Sequence, residues 1–113
     1  MVYDCARELA DALKASDEYR DFCAAKERAF ENETTRALLV EYQKLRVRAQ
    51  ASALSGERNE ELMNRFQKLA EMLQFDAEAS EFLMAEYRLN TMLGDVYKIL
   101  AQAVEIDLSG LEA

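Results

Sequence analysis

The chain of 113 residues contains no proline, no tryptophan and no histidine, and only three glycines. An all-β domain needs many Gly and Pro turns and many β-branched residues, yet valine and isoleucine together number seven against fifteen leucines. Without histidine, a Ser-His-Asp triad, a His-ligated zinc site and a His general base are all excluded. The composition therefore favours an all-α protein with few groups suited to catalysis.

Positive charge is also scarce, because 14 Lys and Arg face 22 Asp and Glu and the net charge is −8. Proteins that bind nucleic acid or an anionic membrane normally carry the opposite sign, so we expect neither partner. Four basic residues come nearest to a patch: Arg36, Lys44, Arg46 and Arg48. The last three do not share one helical face. A solvated helix surface is the favoured interpretation, and contact with RNA is the alternative.

Membrane and secretion signals are missing as well. No apolar stretch approaches the roughly 20 residues that span a bilayer, and residues 1–4 do not begin a signal peptide. Two isolated cysteines, Cys5 and Cys23, without a C-x-x-C spacing suit a reducing compartment. We therefore expect a cytoplasmic protein in which both cysteines are small buried hydrophobes. The alternatives are a disulfide between them or a metal shared with another subunit.

Apolar residues recur at helical spacing along almost the whole chain. This spacing predicts five helices, over residues 2–13, 17–30, 33–55, 60–74 and 77–104. Their predicted N-caps are Ser16, Asn32, Asn59 and Asp76. Gly56 is suited to the left-handed conformation that follows a helix C-terminus. The short link there predicts a helical hairpin of 33–55 and 60–74.

The last predicted helix has a seven-residue repeat typical of a coiled coil. Its two heptad positions hold Phe82, Leu89, Val96 and Ala103, and, three residues further on, Ala85, Met92, Ile99 and Ile106. At 1.5 Å per residue this helix spans about 42 Å, more than the roughly 35 Å diameter of a compact domain of this size. We therefore predict a two-fold homodimer that uses parts of the first and last helices. The predicted interface residues are Leu89, Met92, Val96 and Ile99. Gly94, inside this helix, indicates either close approach of another helix or a sequence change that the helix tolerates without a role.

Carboxylates are the remaining candidates for chemistry. Glu57/Glu60 and Glu78/Glu81 have the Glu-x-x-Glu spacing with which all-α nucleotide pyrophosphatases hold Mg²⁺. Both pairs lie at predicted helix starts, where the helix dipole favours acids in any case. No histidine can activate a cysteine nucleophile, and no two nearby glycines form a phosphate loop. We predict no catalytic residue, no metal and no cofactor, with a carboxylate-metal nucleotide hydrolase as the alternative.

Three segments carry a family resemblance: VYD at 2–4, LKASDEY at 13–19 and LGDVYKIL at 93–100. Over about residues 2–104 the chain resembles the YlbF/YmcA family of small bacterial proteins, which includes YheA-like members. The resemblance implies an all-helical fold that dimerises in a Gram-positive-type cytoplasm. Characterised members form a complex that influences the endoribonuclease RNase Y, and through it mRNA processing, competence, sporulation and biofilm formation.

Two of those relatives carry iron–sulfur clusters through cysteines. This chain departs from them, because it has two cysteines and none near its C-terminus, whereas a cluster needs four thiolates. We therefore predict a branch of the family that shares the fold but not the cofactor, and a cluster bridged by the four cysteines of a dimer is the alternative.

Together these observations predict one domain over residues 1–113, with its core at 2–104. Its fold is an all-α dimeric bundle of about five helices, with a helical hairpin and a long C-terminal helix. Its predicted function is that of a non-catalytic homodimer that binds other proteins as a regulatory adaptor. Candidate contacts with a partner are Tyr42, Leu54 and Phe66 on the hairpin, and core packing is the alternative for each.

Overall fold

The computed structural model describes residues 1–57 and 59–105, and over this range the chain forms five α-helices and no strand. They are α1 (Val2–Lys14), α2 (Asp17–Glu31), α3 (Glu33–Ser55), α4 (Glu60–Gln74) and α5 (Ala77–Ala103). The predicted all-α fold class is confirmed. Ile106, the last predicted position of the seven-residue repeat, lies outside the described residues.

Asparagine side chains set where the two helices of the hairpin begin. Asn32 Oδ1 accepts hydrogen bonds from the backbone N–H groups of Thr34 and Thr35, at 3.0 and 3.3 Å. Asn59 Oδ1 accepts one from the N–H of Leu62 at 3.0 Å. The first turn of a helix leaves these N–H groups without a backbone partner, so each cap removes part of the cost of starting the helix there.

The other two predicted caps are formed as well. Ser16 Oγ accepts from the backbone N–H of Tyr19 at 3.2 Å, immediately before α2. Asp76 Oδ1 accepts from the N–H groups of Glu78 and Ala79, both at 3.1 Å, at the start of α5. A negatively charged cap also interacts favourably with the positive end of the helix dipole.

Gly56 ends α3 with a φ of 76°, in the left-handed region that favours glycine. Its N–H donates to the carbonyl of Ala53 at 3.3 Å, which closes the last turn. The chain reverses there within four residues, and α4 packs against α3. The predicted hairpin is therefore confirmed.

The contacts within the chain divide it into two compact units. We call residues 23–83 the hairpin unit, and residues 1–22 together with the chain from 84 onwards the terminal unit. Among the described residues, the buried hydrophobic side chains of the hairpin unit are Ala25, Ala29, Leu39, Leu45, Leu69, Leu73, Ala79 and Phe82. Those of the terminal unit are Ala85 and Ala101. That residues 1–113 form one domain stays a prediction.

Burial on α2 corrects the interpretation of the cysteines. Both are exposed free thiols, so the prediction that they are small buried hydrophobes is wrong, and no disulfide joins them. The buried line of α2 consists of Ala25 and Ala29, and Cys23 lies outside it. Cys5 lies on α1, which has no buried residue in the single chain. The spacing of the larger apolar residues of α2 predicts a stripe that includes Cys23, whereas the buried residues are small alanines.

None of the helices in the described ranges is long and apolar enough to cross a membrane.

Candidate functional site

The predicted partner contacts on the hairpin fall into two groups. The rings of Tyr42 and Phe66 stack across α3 and α4, with centroids 5.1 Å apart and planes 23° apart, and both side chains are half-buried. Leu54, near the end of α3, is 85% exposed. The structure therefore brings Tyr42 and Phe66 together and leaves Leu54 apart from them. None of the three is tested as a contact with another protein.

Charged groups surround this ring pair. The Arg46 guanidinium lies 5.6 Å from the centroid of the Tyr42 ring and also donates a hydrogen bond to Gln43. Glu41 of α3 pairs with Arg65 of α4 at 3.4 Å. Arg46 is therefore engaged on the side of α3 that faces α4. A cation over an aromatic face contributes about 0.5–1 kcal/mol at a partly exposed site.

A second cluster joins the starts of α3 and α5. The Thr35 side chain is only 1% exposed, and its hydroxyl donates to Asp76 Oδ2 at 2.5 Å. That hydrogen bond holds the pKa of the Asp76 carboxyl below its usual range, partial burial opposes the shift, and the N–H groups of Ala79 and Glu78 lower the pKa further. Thr35 was not among the residues predicted from the sequence. The available signal was its position four residues before Leu39, on the buried face of α3.

Two further contacts join α2 to the first turns of α5 within the hairpin unit. Arg28 of α2 forms an ion pair with Glu81 of α5. The rings of Phe30 and Phe82 lie 5.7 Å apart at a tilt of 50°, a favourable arrangement for two aromatic side chains. Phe82, from the predicted coiled-coil positions, is thus part of the core of this unit.

The acids of the alternative, a carboxylate-metal hydrolase, do not form a cluster in the described residues. Glu81 of the Glu78/Glu81 pair is engaged by Arg28, and Glu57 and Glu60 are exposed near the turn of the hairpin. Among residues 1–57 and 59–105, no group of three or more Asp, Glu, Cys or His side chains is placed to hold a metal ion.

The terminal unit presents an apolar surface. A shallow depression of about 530 Å³ is lined by Met1, Val2, Cys5, Ala6, Leu9 and Leu100. Leu100 also belongs to a row of exposed apolar residues, which we call the α5 row: Leu93, Tyr97 and Leu100 of α5, and Val104 in the turn that follows the helix. Leu93, Tyr97 and Leu100 are spaced by four and three residues, so they share one face of the helix.

The predicted dimer-interface residues lie beside the α5 row. Leu89, Met92 and Val96 are half-buried in the single chain, and Ile99 is 65% exposed. A Cβ added at Gly94 would meet nothing within 4 Å, so no other helix of the described chain approaches it closely. Whether this face contacts a second copy is not tested by a single chain, and the four residues remain a prediction.

The fold as described defines a class of small all-helical proteins, built from a capped helical hairpin and a long C-terminal helix. The sequence profile of the family described as "Control of competence regulator ComK, YlbF/YmcA" matches residues 2–105. The chain belongs to this family.

Curated relatives match along nearly the whole chain. A UPF0342 protein of Symbiobacterium thermophilum is 39% identical over 108 residues, which cover 95% of this chain and 96% of the relative. A UPF0342 protein of Halothermothrix orenii is 31% identical over 109 residues, covering 96% and 92%. The predicted family resemblance is confirmed, and these relatives are bacterial.

Two solved structures share the fold. A Bacillus stearothermophilus protein of unknown function (DUF964) superposes with a TM-score of 0.80 at 18% identity, over 92% of each chain. Bacillus subtilis RicA, solved in complex with RicF, superposes with a TM-score of 0.63 at 18% identity, over 92% of this chain and 93% of that one.

Proposed function

We propose that this protein is a non-catalytic regulatory adaptor that binds other proteins, and that it does so as a homodimer in the bacterial cytoplasm. The observation that carries the proposal is the apolar surface of the terminal unit, which exposes large hydrophobic residues while burying only two alanines among its described residues. Contiguous exposed apolar surface on a small protein is typical of a site of association.

The homodimer would cover the α5 row together with the depression beside Leu100. Burying apolar surface stabilises association by roughly 25 cal/mol per Å² before the entropy cost of binding is subtracted. The proposed interface keeps the predicted residues Leu89, Met92, Val96 and Ile99, and the α5 row extends it. A two-fold axis would place the same face of both copies in contact, which is the commonest arrangement in homodimers.

The adaptor role draws support from two sources. The description of the family names control of a competence regulator. RicA, which has a similar fold, was solved bound to a different protein, RicF. We propose that this chain likewise has a protein partner, in the RNase Y-dependent mRNA processing that acts on competence, sporulation and biofilm formation in the family it resembles. Leu54 is the most exposed of the three predicted contact residues on the hairpin.

Sedimentation velocity tests the homodimer half of the proposal. We expect the wild type at tens of micromolar to sediment as a dimer of 25.8 kDa, twice the chain mass of 12.9 kDa. Leu100→Asp should shift it to the monomer, because a charge would be buried in the interface without a partner. Met72→Asp is the matched control, since Met72 is also 55% exposed but lies in the hairpin unit. A wild-type monomer at that concentration would contradict the proposal.

A thermal shift assay separates the adaptor from the carboxylate-metal hydrolase. We expect millimolar Mg²⁺ or Mn²⁺ to leave the melting temperature unchanged, because a ligand stabilises a protein only when it binds the folded state better than the unfolded one. A clear rise in melting temperature that Glu57→Gln abolishes would favour the hydrolase instead. Affinity capture from the native cytoplasm would then identify the partner.

A further inference from the structure

Helix α3 carries apolar side chains on two opposite faces. Leu39 and Leu45 are 0% and 2% exposed and pack in the core of the hairpin unit. On the other side Val40, Val47 and Leu54 are 40%, 63% and 85% exposed. A helix that needs only to cover a core has one apolar face, so the second face calls for its own explanation.

The exposed face has a seven-residue repeat. Val40, Val47 and Leu54 follow one another at intervals of seven residues. A second set with the same interval lies three residues before them. The six positions, all exposed, are Ala37, Val40, Lys44, Val47, Ala51 and Leu54, which we call the α3 seam. Spacing of three and four residues in alternation is the a/d pattern by which one helix packs along another. At 1.5 Å per residue the seam extends for about 26 Å.

Positive charge accompanies the α3 seam. Lys44 lies within it, and Arg36 and Arg48 lie on its two flanks, at the positions that coiled coils use for charge pairing. All three are exposed, and none forms an ion pair in the part of the chain that the structure describes. Glu41 lies on the same flank as Arg48, and its carboxylate is already paired with Arg65. The seam is therefore locally basic on a chain whose net charge is −8.

We propose that the α3 seam binds an acidic amphipathic helix of a partner protein. Apolar residues of that helix would pack on Val40, Val47 and Leu54, and its flanking carboxylates would pair with the three cations. The inference rests on the adaptor role proposed above and names the chemistry of the partner. Charge complementarity favours this occupant over the α3 seam of a second copy, which would bring like charges together. The apolar centre of the seam favours a helix over RNA, whose backbone needs cations rather than valines.

Two designed peptides of 21 residues serve as probes in a fluorescence anisotropy titration at about 0.1 M salt. Both have leucine and isoleucine at the a and d positions, and they differ only in carrying Glu or Lys at the flanking positions. We expect the full-length protein to bind the Glu peptide at least about tenfold more tightly than the Lys peptide. Failure of the protein to bind the Glu peptide, or equal affinity for both peptides, would overturn the proposal.

Two variants link binding to the seam. Val47→Glu should lower the affinity for the Glu peptide at least about tenfold. Met72→Glu, a matched change on α4, should leave that affinity unchanged. Reversing all three charges with Arg36→Glu, Lys44→Glu and Arg48→Glu should make the protein prefer the Lys peptide. Undiminished binding of the Glu peptide by Val47→Glu would place the contact elsewhere and contradict the proposal.

Two other occupants give distinct results. Loss of the wild-type dimer in sedimentation of Val47→Glu would assign the seam to a second copy of this chain. Binding of a 20-nucleotide single-stranded RNA in preference to the Glu peptide would assign it to nucleic acid. Either result overturns the proposal. A third outcome is a protein that fails to bind the Glu peptide and still sediments as a dimer that Leu100→Asp disrupts. That result would contradict the proposed role of the α3 seam and leave the proposed homodimer intact.

Discussion

The hairpin unit buries eight hydrophobic side chains among the described residues and the terminal unit buries two, although the terminal unit has the larger share of apolar residues in its sequence. Among its described residues, the terminal unit leaves these large hydrophobic side chains exposed: Met1, Val2, Tyr3, Met84, Tyr87, Leu93, Tyr97, Ile99, Leu100 and Val104. The hairpin unit therefore has a core of its own, whereas the apolar surface of the terminal unit is available to another molecule. The helical spacing of apolar residues builds a core in the hairpin unit, beside the α3 seam proposed for a partner, whereas in the terminal unit, as we propose, it serves mainly self-association.

The largest expected effect tests the core of the hairpin unit. Leu39→Ala should lower the free energy of unfolding by about 2–5 kcal/mol, because it removes a fully buried side chain and leaves a cavity. Leu54→Ala, on the same helix but 85% exposed, should change it by no more than about 0.5 kcal/mol. Urea unfolding measures both. Equal effects of the two variants would mean that α3 does not have the buried face described here.

The next effect concerns the junction of α3 and α5. Thr35→Val keeps the shape of the side chain but removes the hydroxyl that donates to Asp76. We expect a loss of about 1–2 kcal/mol, since a hydrogen bond to a charged group is worth about 1.5–3 kcal/mol and water at the half-buried carboxylate offsets part of it. Urea unfolding at neutral pH checks this value, with Thr34→Val at an exposed neighbouring position as the control. An unchanged midpoint would exclude a stabilising role for the bond.

The two described glycines should respond with opposite signs, one in each unit. Gly56→Ala should destabilise the protein by about 1 kcal/mol, because alanine is strained at a φ of 76°. Gly94→Ala should stabilise it by about 0.5–1 kcal/mol, because the site is helical and a Cβ meets nothing there. Thermal unfolding compares them. If Gly94→Ala instead weakens the dimer in sedimentation, a helix of the second copy approaches Gly94 closely.

The smallest effect is a pH dependence from Asp76. Its pKa is lowered in the folded state, so its contribution to stability is fully present above the ordinary aspartate pKa of about 3.9 and is lost as the pH falls through the lower folded-state value. The difference in free energy of unfolding between wild type and Asp76→Asn should therefore shrink in acid. Denaturation of both proteins from about pH 6 to about pH 3 measures it. A difference that stays constant over this range would argue against the Thr35–Asp76 hydrogen bond.

Local chemistry made most of the fold predictable from the sequence. Asn32, Asn59 and Gly56 act on backbone groups only a few residues away, so the helix ends and the hairpin follow from the residues themselves. Thr35 could not be understood in this way, because its partner Asp76 lies 41 residues further along the chain. Contacts distant in sequence are set by packing, which no helical period reveals.

The cysteines show the same limit for burial. Cys23 lies on an apolar stripe of α2 by its spacing, yet it is exposed, and the fully buried side chains of this helix are the small Ala25 and Ala29. Leu89, Met92, Val96 and Ile99 were predicted as a dimer interface, and a single chain cannot test them because their proposed partner is another copy.

Amide hydrogen exchange at two protein concentrations tests the central claim most directly, because it reads both units in one experiment. Between about 1 and 50 µM we predict that amides of α1 and of residues 84–103 gain protection as the dimer forms, while those of the hairpin, in α3 and α4, do not change. Equal protection of the terminal unit at both concentrations, in a protein that sediments as a monomer at both, would contradict the claim that its apolar surface serves self-association.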